Sequence, residues 1–131
     1  MRVMVDTNVL ISALFFPGSM VEALLCKIIA EHQLVLSSYV VDELLHVTRR
    51  KFPGKVSAVD ALLGRLPYEM VYTPGQPTPG LFEIRDKNDY PVLYSAVTEG
   101  VDIFVTGDKD FEGLGLETPE IMTPVAFLEK Y

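Results

Sequence analysis

With 131 residues, 49% of them hydrophobic and 22% charged, the chain has the size of one domain, and such a length buries about two thirds of the surface exposed when unfolded. That composition excludes a disordered segment or a repeat array, and no apolar run reaches the roughly 20 residues that span a bilayer, so no membrane segment is expected. Eleven basic against 18 acidic residues give a net charge of −7, which counts against a simple binder of nucleic-acid phosphates unless carboxylates hold cations: four acids around two divalent ions bring the total to about −3.

Met1 leads straight into a strand-like Arg2 to Val5, leaving no room for a leader, and the single cysteine, Cys26, cannot form an internal disulfide. Both features suggest a reducing, cytoplasmic setting, with Cys26 as core filler. In chain order, Arg2 to Val5 reads as a strand and Thr7 to Phe15 as a short helix closed by Pro17-Gly18. Ser19 with Glu22 has capping-box spacing and opens a helix to about His32, whose residues Val21, Leu24, Leu25, Ile28 and Ile29 recur at helical period. That apolar helix serves either the core or a homodimer face. Leu34 to Leu36 is the second strand, Tyr39 to Lys51 a helix, Ser57 the cap of another through Leu66, and Glu69 to Tyr72 the third strand. Pro74 to Gly80 is a loop. Tyr90 to Glu99 is a helix with Pro91 in its first turn and Gly100 as its C-cap. Asp102 to Val105 and Ile121-Met122 are strands, and Thr123-Pro124 starts a closing helix to Tyr131. Strands alternating with helices predict an α/β class with parallel strands joined by helical crossovers, in one domain over residues 1–131.

Open parallel sheets bind ligands at the carboxyl ends of their strands, and acids collect there. Asp6 follows the first strand, Asp108 lies three residues past Val105, and Glu43 stands in the second turn of the helix after the second strand. At about 100° per residue, Glu43 falls at the edge of the arc formed by Val40, Val41, Leu44 and Leu45, while Asp42 points away. Asp89 precedes Val92, Leu93 and Ala96 at i+3, i+4 and i+7, so its carboxylate extends the buried stripe, where an ionised group needs a partner. Taken singly, Asp6, Asp89 and Asp108 read as N-caps or turn residues; independent caps have no reason to gather at one sheet edge beside an inward Glu. Oxygen donors without Cys or His suit Mg²⁺ or Mn²⁺ rather than zinc. His32 and His46 read as solvated helix residues.

Four segments carry a family resemblance: Val5-Asp6-Thr7-Asn8-Val9-Leu10; Val35-Leu36-Ser37 with Glu43-Leu44; Asp86-Lys87-Asn88-Asp89 leading into Pro91-Val92-Leu93; and Val105-Thr106-Gly107-Asp108-Lys109-Asp110-Phe111. In that order and spacing the chain resembles the PIN-domain nucleases, including the VapC-type ribonuclease toxins of toxin-antitoxin pairs; the closing Thr123-Pro124 with Phe127-Leu128 is similar as well. The resemblance implies a three-layer fold, a central parallel sheet flanked by helices, and cleavage of RNA. By position, Asp6, Glu43, Asp89 and Asp108 match the family's acidic, metal-binding and catalytic site, with Asn8 and Thr106 at its supporting polar positions and Asp86 and Asp110 as extra ligands, supporting groups or plain surface acids.

Phosphodiester hydrolysis needs an activated water and stabilisation of charge on phosphorus and the leaving oxygen, which one or two Mg²⁺ or Mn²⁺ ions supply. Asp6 and Asp89 are expected as primary ligands, with Glu43 and Asp108 completing the site directly or through water. Arg50, two turns after Glu43, and Lys87 and Lys109, beside Asp89 and Asp108, are candidate contacts to single-stranded RNA, against the alternative of ordinary solvated cations. A receiver-type phosphoacceptor needs a second acid beside Asp6 and an acceptor Asp where Thr73 stands, and a haloacid-dehalogenase-type phosphatase needs an Asp at Asn8. The remaining rival is an interaction module of the same fold that binds RNA or a protein partner with little catalysis. An antitoxin partner, if there is one, is a separate chain.

Overall fold

The computed structural model describes residues 1–131. Five strands, β1 (Arg2–Val5), β2 (Gln33–Ser37), β3 (Glu69–Val71), β4 (Ile103–Val105) and β5 (Glu120–Met122), form one sheet in the order β3-β2-β1-β4-β5, all parallel. Six helices flank it: α1 (Thr7–Phe15), α2 (Met20–Glu31), α3 (Ser38–Lys51), α4 (Val56–Arg65), α5 (Tyr90–Thr98) and α6 (Pro124–Lys130). The central strands explain why helices must cover the sheet. Val3 to Val5, Leu34 to Leu36 and Ile103 to Val105 are buried at every position, with no solvated alternation, as parallel strands covered on both faces require. A single cluster of 28 buried apolar residues results, joined by Leu10, Leu24, Ile28, Leu44 and Leu93 from four helices.

The chain winds from β1 outward through β2 to β3, then returns through α5 to β4 on the other side of β1. The connections leaving β1 and β4 therefore diverge, and a crevice opens between the carboxyl ends of those two strands. Between β3 and α5 lies a proline-rich stretch without regular structure. It is anchored where Phe82 buries itself against Tyr90, ring centroids 4.5 Å apart, and where the Tyr90 hydroxyl donates to the Thr78 carbonyl at 2.6 Å. This anchoring presents Asp86, Asn88 and Asp89 to the crevice.

Three expectations are corrected. Ser57 is not a cap: Pro53–Lys55 forms a 3₁₀ turn that runs directly into α4, and Lys55 occupies the cap position without a side-chain bond. Cys26 is exposed, because the face of α2 that enters the core is carried by Leu24, Leu25 and Ile28. That face also accounts for the apolar stripe of α2 as core. His32 is half-buried rather than a solvated helix residue: it packs edge-on against Phe127 and Tyr131, with centroids 5.6 and 6.1 Å away, and its Nδ1 is buried without a partner. An apolar closing helix, α6, needed a surface to cover, and His32 at the end of α2 is part of it. The capping box holds in outline: Glu22 N–H donates to Ser19 Oγ at 3.2 Å, and the Glu22 carboxylate accepts from Gly18 rather than from Ser19.

Candidate active site

Strand register sets the first contacts. Val5 pairs with Val105, and one residue further the Asp6 N–H donates to the Val105 carbonyl at 3.2 Å, so Asp6 and Thr106 leave adjacent strands side by side. The buried Thr106 hydroxyl donates to Asp6 Oδ2 and accepts from the Asp108 N–H at 3.0 Å, tying the two aspartate segments together. Asp6 Oδ1 caps α1 by accepting from the Val9 N–H at 2.9 Å, and Asp108 Oδ1 accepts from the Asp110 N–H at 2.9 Å. Both acids are thus caps. Capping does not exhaust them, since an ionised carboxylate offers about four lone-pair sites.

Asp89 behaves differently. It sits at the cap position of α5 with helical dihedrals, φ −81° and ψ −19°, makes no side-chain cap bond, and its Oδ2 is buried with no partner. A buried acceptor left unmatched is costly and calls for an ion or a donor. The segment before it is tightly turned, with Asp86 Oδ1 accepting from the Asn88 N–H at 2.9 Å and the Asp86 carbonyl from the Asp89 N–H at 3.0 Å. Tyr39, on the first turn of α3, donates to the Asn88 carbonyl at 3.4 Å. About 100° of helix rotation separates Asp42, which is exposed, from Glu43, which is half-buried and faces the crevice.

Asp6, Glu43, Asp89 and Asp108 together line a cavity of about 30 Å³, enough for one ion or water. Carboxylate oxygens of Asp89, Asp108 and Asp110 lie within 4.8 Å of one another. An all-oxygen set with an unmatched buried acceptor fits a hard divalent cation. Asp110 is also 3.4 Å from the exposed Arg85. Crowding of like charge shows in the protonation equilibria. Burial first, then repulsion from Asp108, Asp86, Asp110 and Asp6, pushes the Asp89 carboxyl up to about 6. Burial also raises Asp6, opposed by its bonds from Thr106 and Val9. The Tyr39 phenol is raised by burial and by the negative charges of Glu43, Asp89 and Asp86.

The sequence pattern over residues 2–110 matches the family model of the PIN domain, a span that includes every acid just described. The chain belongs to the PIN-domain family. Among curated proteins, none matches the sequence. Among solved structures, this PIN domain is similar to VapBC2 from Rickettsia felis, solved bound to a DNA fragment from its promoter: 18% identity, TM-score 0.70, covering 93% of this chain and 97% of the other. It is also similar to the Mycobacterium tuberculosis toxin VapC20, which cleaves the sarcin-ricin loop, at 14% identity and TM-score 0.59 over 86% and 95% of the two chains. The PIN domain of human SMG5 matches at 10% identity and TM-score 0.56 over 99% and 98%. At these identities the likeness is one of fold.

The small cavity opens on either side. A cleft of about 580 Å³ extends between α1 and α3, floored by Glu43, Asp86, Asp89 and Asp108 and walled by His46, Arg50, Lys51 and Phe52. On the other side of Asp6 and Asp108 lies a groove of about 400 Å³. Asn8 lines all three spaces. The candidate cations separate: Arg50 lines the cleft, Lys87 lines an apolar pocket with Pro77, Phe82 and Tyr90 instead, and Lys109 lines none of the three spaces around the acids. Sequence reasoning assigned no role to Lys51 and Asn88 in the cleft or to Tyr39, which bonds Asn88, and read His46 only as a solvated helix residue, as its exposure bears out, although it lines the cleft. For Lys51 and His46 a signal existed, because they follow Glu43 at i+8 and i+3 on α3.

Proposed function

We propose that this PIN domain is a divalent-metal-dependent endoribonuclease, using Mg²⁺ or Mn²⁺ to hydrolyse phosphodiester bonds of single-stranded RNA. The observation that carries it is the convergence of four carboxylates from four separate segments on one cavity, with a buried Asp89 oxygen that has no donor in the protein. A bound divalent cation supplies Lewis acidity and neutralises charge developing on the phosphate oxygens. Asp6, Asp89 and Asp108 hold it, with Asp110 at the outer edge. Thr106 keeps the Asp6 carboxylate and the Asp108 backbone in register, as supporting hydrogen bonds do around metal ligands. Glu43, which lines the same cavity from α3, would accept a proton from or orient the attacking water, and the Asn8 amide would orient ligand or water. Arg50 contacts substrate phosphate.

Likeness in fold to VapBC2 and VapC20 supports the reading that the protein is the toxin of a cytoplasmic toxin-antitoxin pair, restrained by a separate antitoxin chain. SMG5 shares the fold too, so the fold alone does not select this role. A second reading, a catalytically weak module that binds RNA or a protein partner, is favoured by the same cleft, whose acid floor is rimmed by the exposed Phe16 and Phe52. Incubation with labelled single-stranded RNA, with and without Mn²⁺, separates the two. Cleavage that needs metal and is lost in Asp6→Asn and Asp89→Asn supports the nuclease; cleavage surviving those changes refutes the site, and no metal-dependent cleavage at all favours the module.

A further inference from the structure

If the acid centre holds a scissile phosphate, as proposed above, a nucleoside must lie on each side of it, and the two sides are chemically unlike. The cleft between α1 and α3 offers Arg50, Lys51 and His46 on its walls, and neither Arg50 nor Lys51 takes part in an ion pair within the chain. Both are therefore free to meet phosphate. Across the ridge formed by Asn8 and Asp108, which line both spaces, the groove carries no cation: besides Asp6 and Asp108 it is lined by Asn8, Ser12, Gly107, Val9, Val21 and Pro124. A further phosphate there would find no side-chain cation to pair with, whereas a base and ribose would find an apolar wall from Val9, Val21 and Pro124 with a hydroxyl and an amide to bond. About 400 Å³ is at the small-ligand end of binding-site volumes.

We infer that RNA is held asymmetrically. Nucleotides lie through their phosphates along the cleft wall that carries Arg50 and Lys51, and the groove takes a single nucleoside on the other side of the cut, with Ser12 and Asn8 as its hydrogen-bonding groups and Ser12 as a determinant of base preference. Only contacts to base edges carry sequence information, and phosphate contacts carry affinity and salt dependence. Salt-sensitive binding and base choice are thus separated onto the two sides of the acid centre.

The full-length protein is given end-labelled single-stranded RNA of mixed sequence with Mn²⁺, the preferred bond is mapped, and oligonucleotides are then lengthened one residue at a time on each side of it. On one side kcat/KM is expected to rise over successive nucleotides, with a gain that shrinks as salt is raised. On the other the gain stops after one nucleoside, and a terminal phosphate there adds nothing. Ser12→Phe is expected to change discrimination among bases at that nucleoside about tenfold with the salt slope unchanged. Arg50→Ala and Lys51→Ala should each flatten the slope by about 0.7 with base discrimination unchanged. Equal gains on both sides, a slope untouched by both cation changes, or base discrimination unmoved in folded Ser12→Phe overturns the asymmetry and leaves the nuclease standing. The lengthening series needs no variant and decides the matter even where Ser12→Phe does not fold. Absence of cleavage of any RNA with Mn²⁺ or Mg²⁺ removes the nuclease reading and the asymmetry with it.

Discussion

Replacing Asp89 by asparagine keeps the shape of the side chain and removes its charge, and the effect on stability should change sign with metal. Without metal the ionised carboxylate is held near Asp108, Asp86, Asp110 and Asp6 with one oxygen buried and unmatched. Its carboxyl is raised from the usual 3.8 to about 6, and at about 1.4 kcal/mol per pH unit that difference is worth about 3 kcal/mol. Asp89 is only partly buried, so solvent screening reduces the expected penalty to about 1 kcal/mol. The folded state binds the proton more tightly than the unfolded one between those two values, so stability falls as pH rises from about 4 to about 6 and stays lowered above. Asp89→Asn is free of this loss.

In EDTA at pH 7.5, Asp89→Asn should therefore melt about 3 °C above the unaltered chain, and the gap should close by pH 4, where both forms are neutral at that position. In Mn²⁺ the order should reverse. The unaltered chain gains RT ln(1 + [M]/Kd), about 2.7 kcal/mol at a hundredfold excess over Kd, while the variant has lost a ligand. Thermal melts read by circular dichroism, run in EDTA and in Mn²⁺ at both pH values, give all four numbers. A variant less stable than the parent in EDTA at pH 7.5 would show that Asp89 is a structural hydrogen-bonding residue and refute the metal-site reasoning.

Thr106→Val removes the donor to Asp6 Oδ2 and the acceptor of the Asp108 N–H; Mn²⁺ affinity by calorimetry should weaken about 10- to 100-fold, and Thr106→Ser should restore most of it. Metal affinity and cleavage should fall together as pH drops below about 6, because the ion competes with a proton on Asp89; a cleavage profile flat from pH 7.5 to pH 5 contradicts this. Lys87→Ala and Lys109→Ala should leave the KM for RNA within about twofold, whereas Arg50→Ala, in the cleft wall, should raise it several-fold, on the scale of one phosphate contact. Equal effects of the three changes would mean that substrate leaves the centre by a different path.

Most of the strand and helix pattern was legible because the signals were periodic and local: buried runs for β1, β2 and β4, the stripe on α2, the caps at Ser19 and Thr123. Errors fell where a decision depended on tertiary partners. Ser57 has the chemistry of a cap, but the chain had already entered the helix through the turn begun at Pro53. His32 is polar in sequence and becomes half-buried only because α6 returns from the far end of the chain to α2. Glu43 could be separated from Asp42 by helix geometry alone. By contrast, which of Asp86 and Asp110 stands as an extra ligand beside Asp108 depends on distances across loops, which spacing does not encode. The structure brings Asp110 into the trio with Asp89 and Asp108 and leaves Asp86 as a turn-forming residue in the wider cleft. Lys87 illustrates the same limit, since its neighbours in sequence face the acids while its own side chain lines the proline-rich pocket.

The acidic balance that first argued against a nucleic-acid enzyme has a local origin. Asp6, Glu43, Asp86, Asp89, Asp108 and Asp110 gather at one crevice, and setting these six aside leaves 12 acidic against 11 basic residues, a remainder of −1. Net charge is thus almost entirely a property of the site. An RNA strand approaching the metal-free crevice meets concentrated like charge, which repels it over about a Debye length, 8 Å at physiological salt. On the proposed reading, cations held by these acids would remove that barrier at the same place where they are needed for chemistry. Binding of metal and of substrate would then be coupled, and reciprocally so: each would tighten the other by the same factor. On the proposed reading, a chain whose nearly neutral remainder already includes the two unpaired cleft cations, Arg50 and Lys51, needs no further basic surface to select RNA, because its affinity would be built at the acids once they are filled.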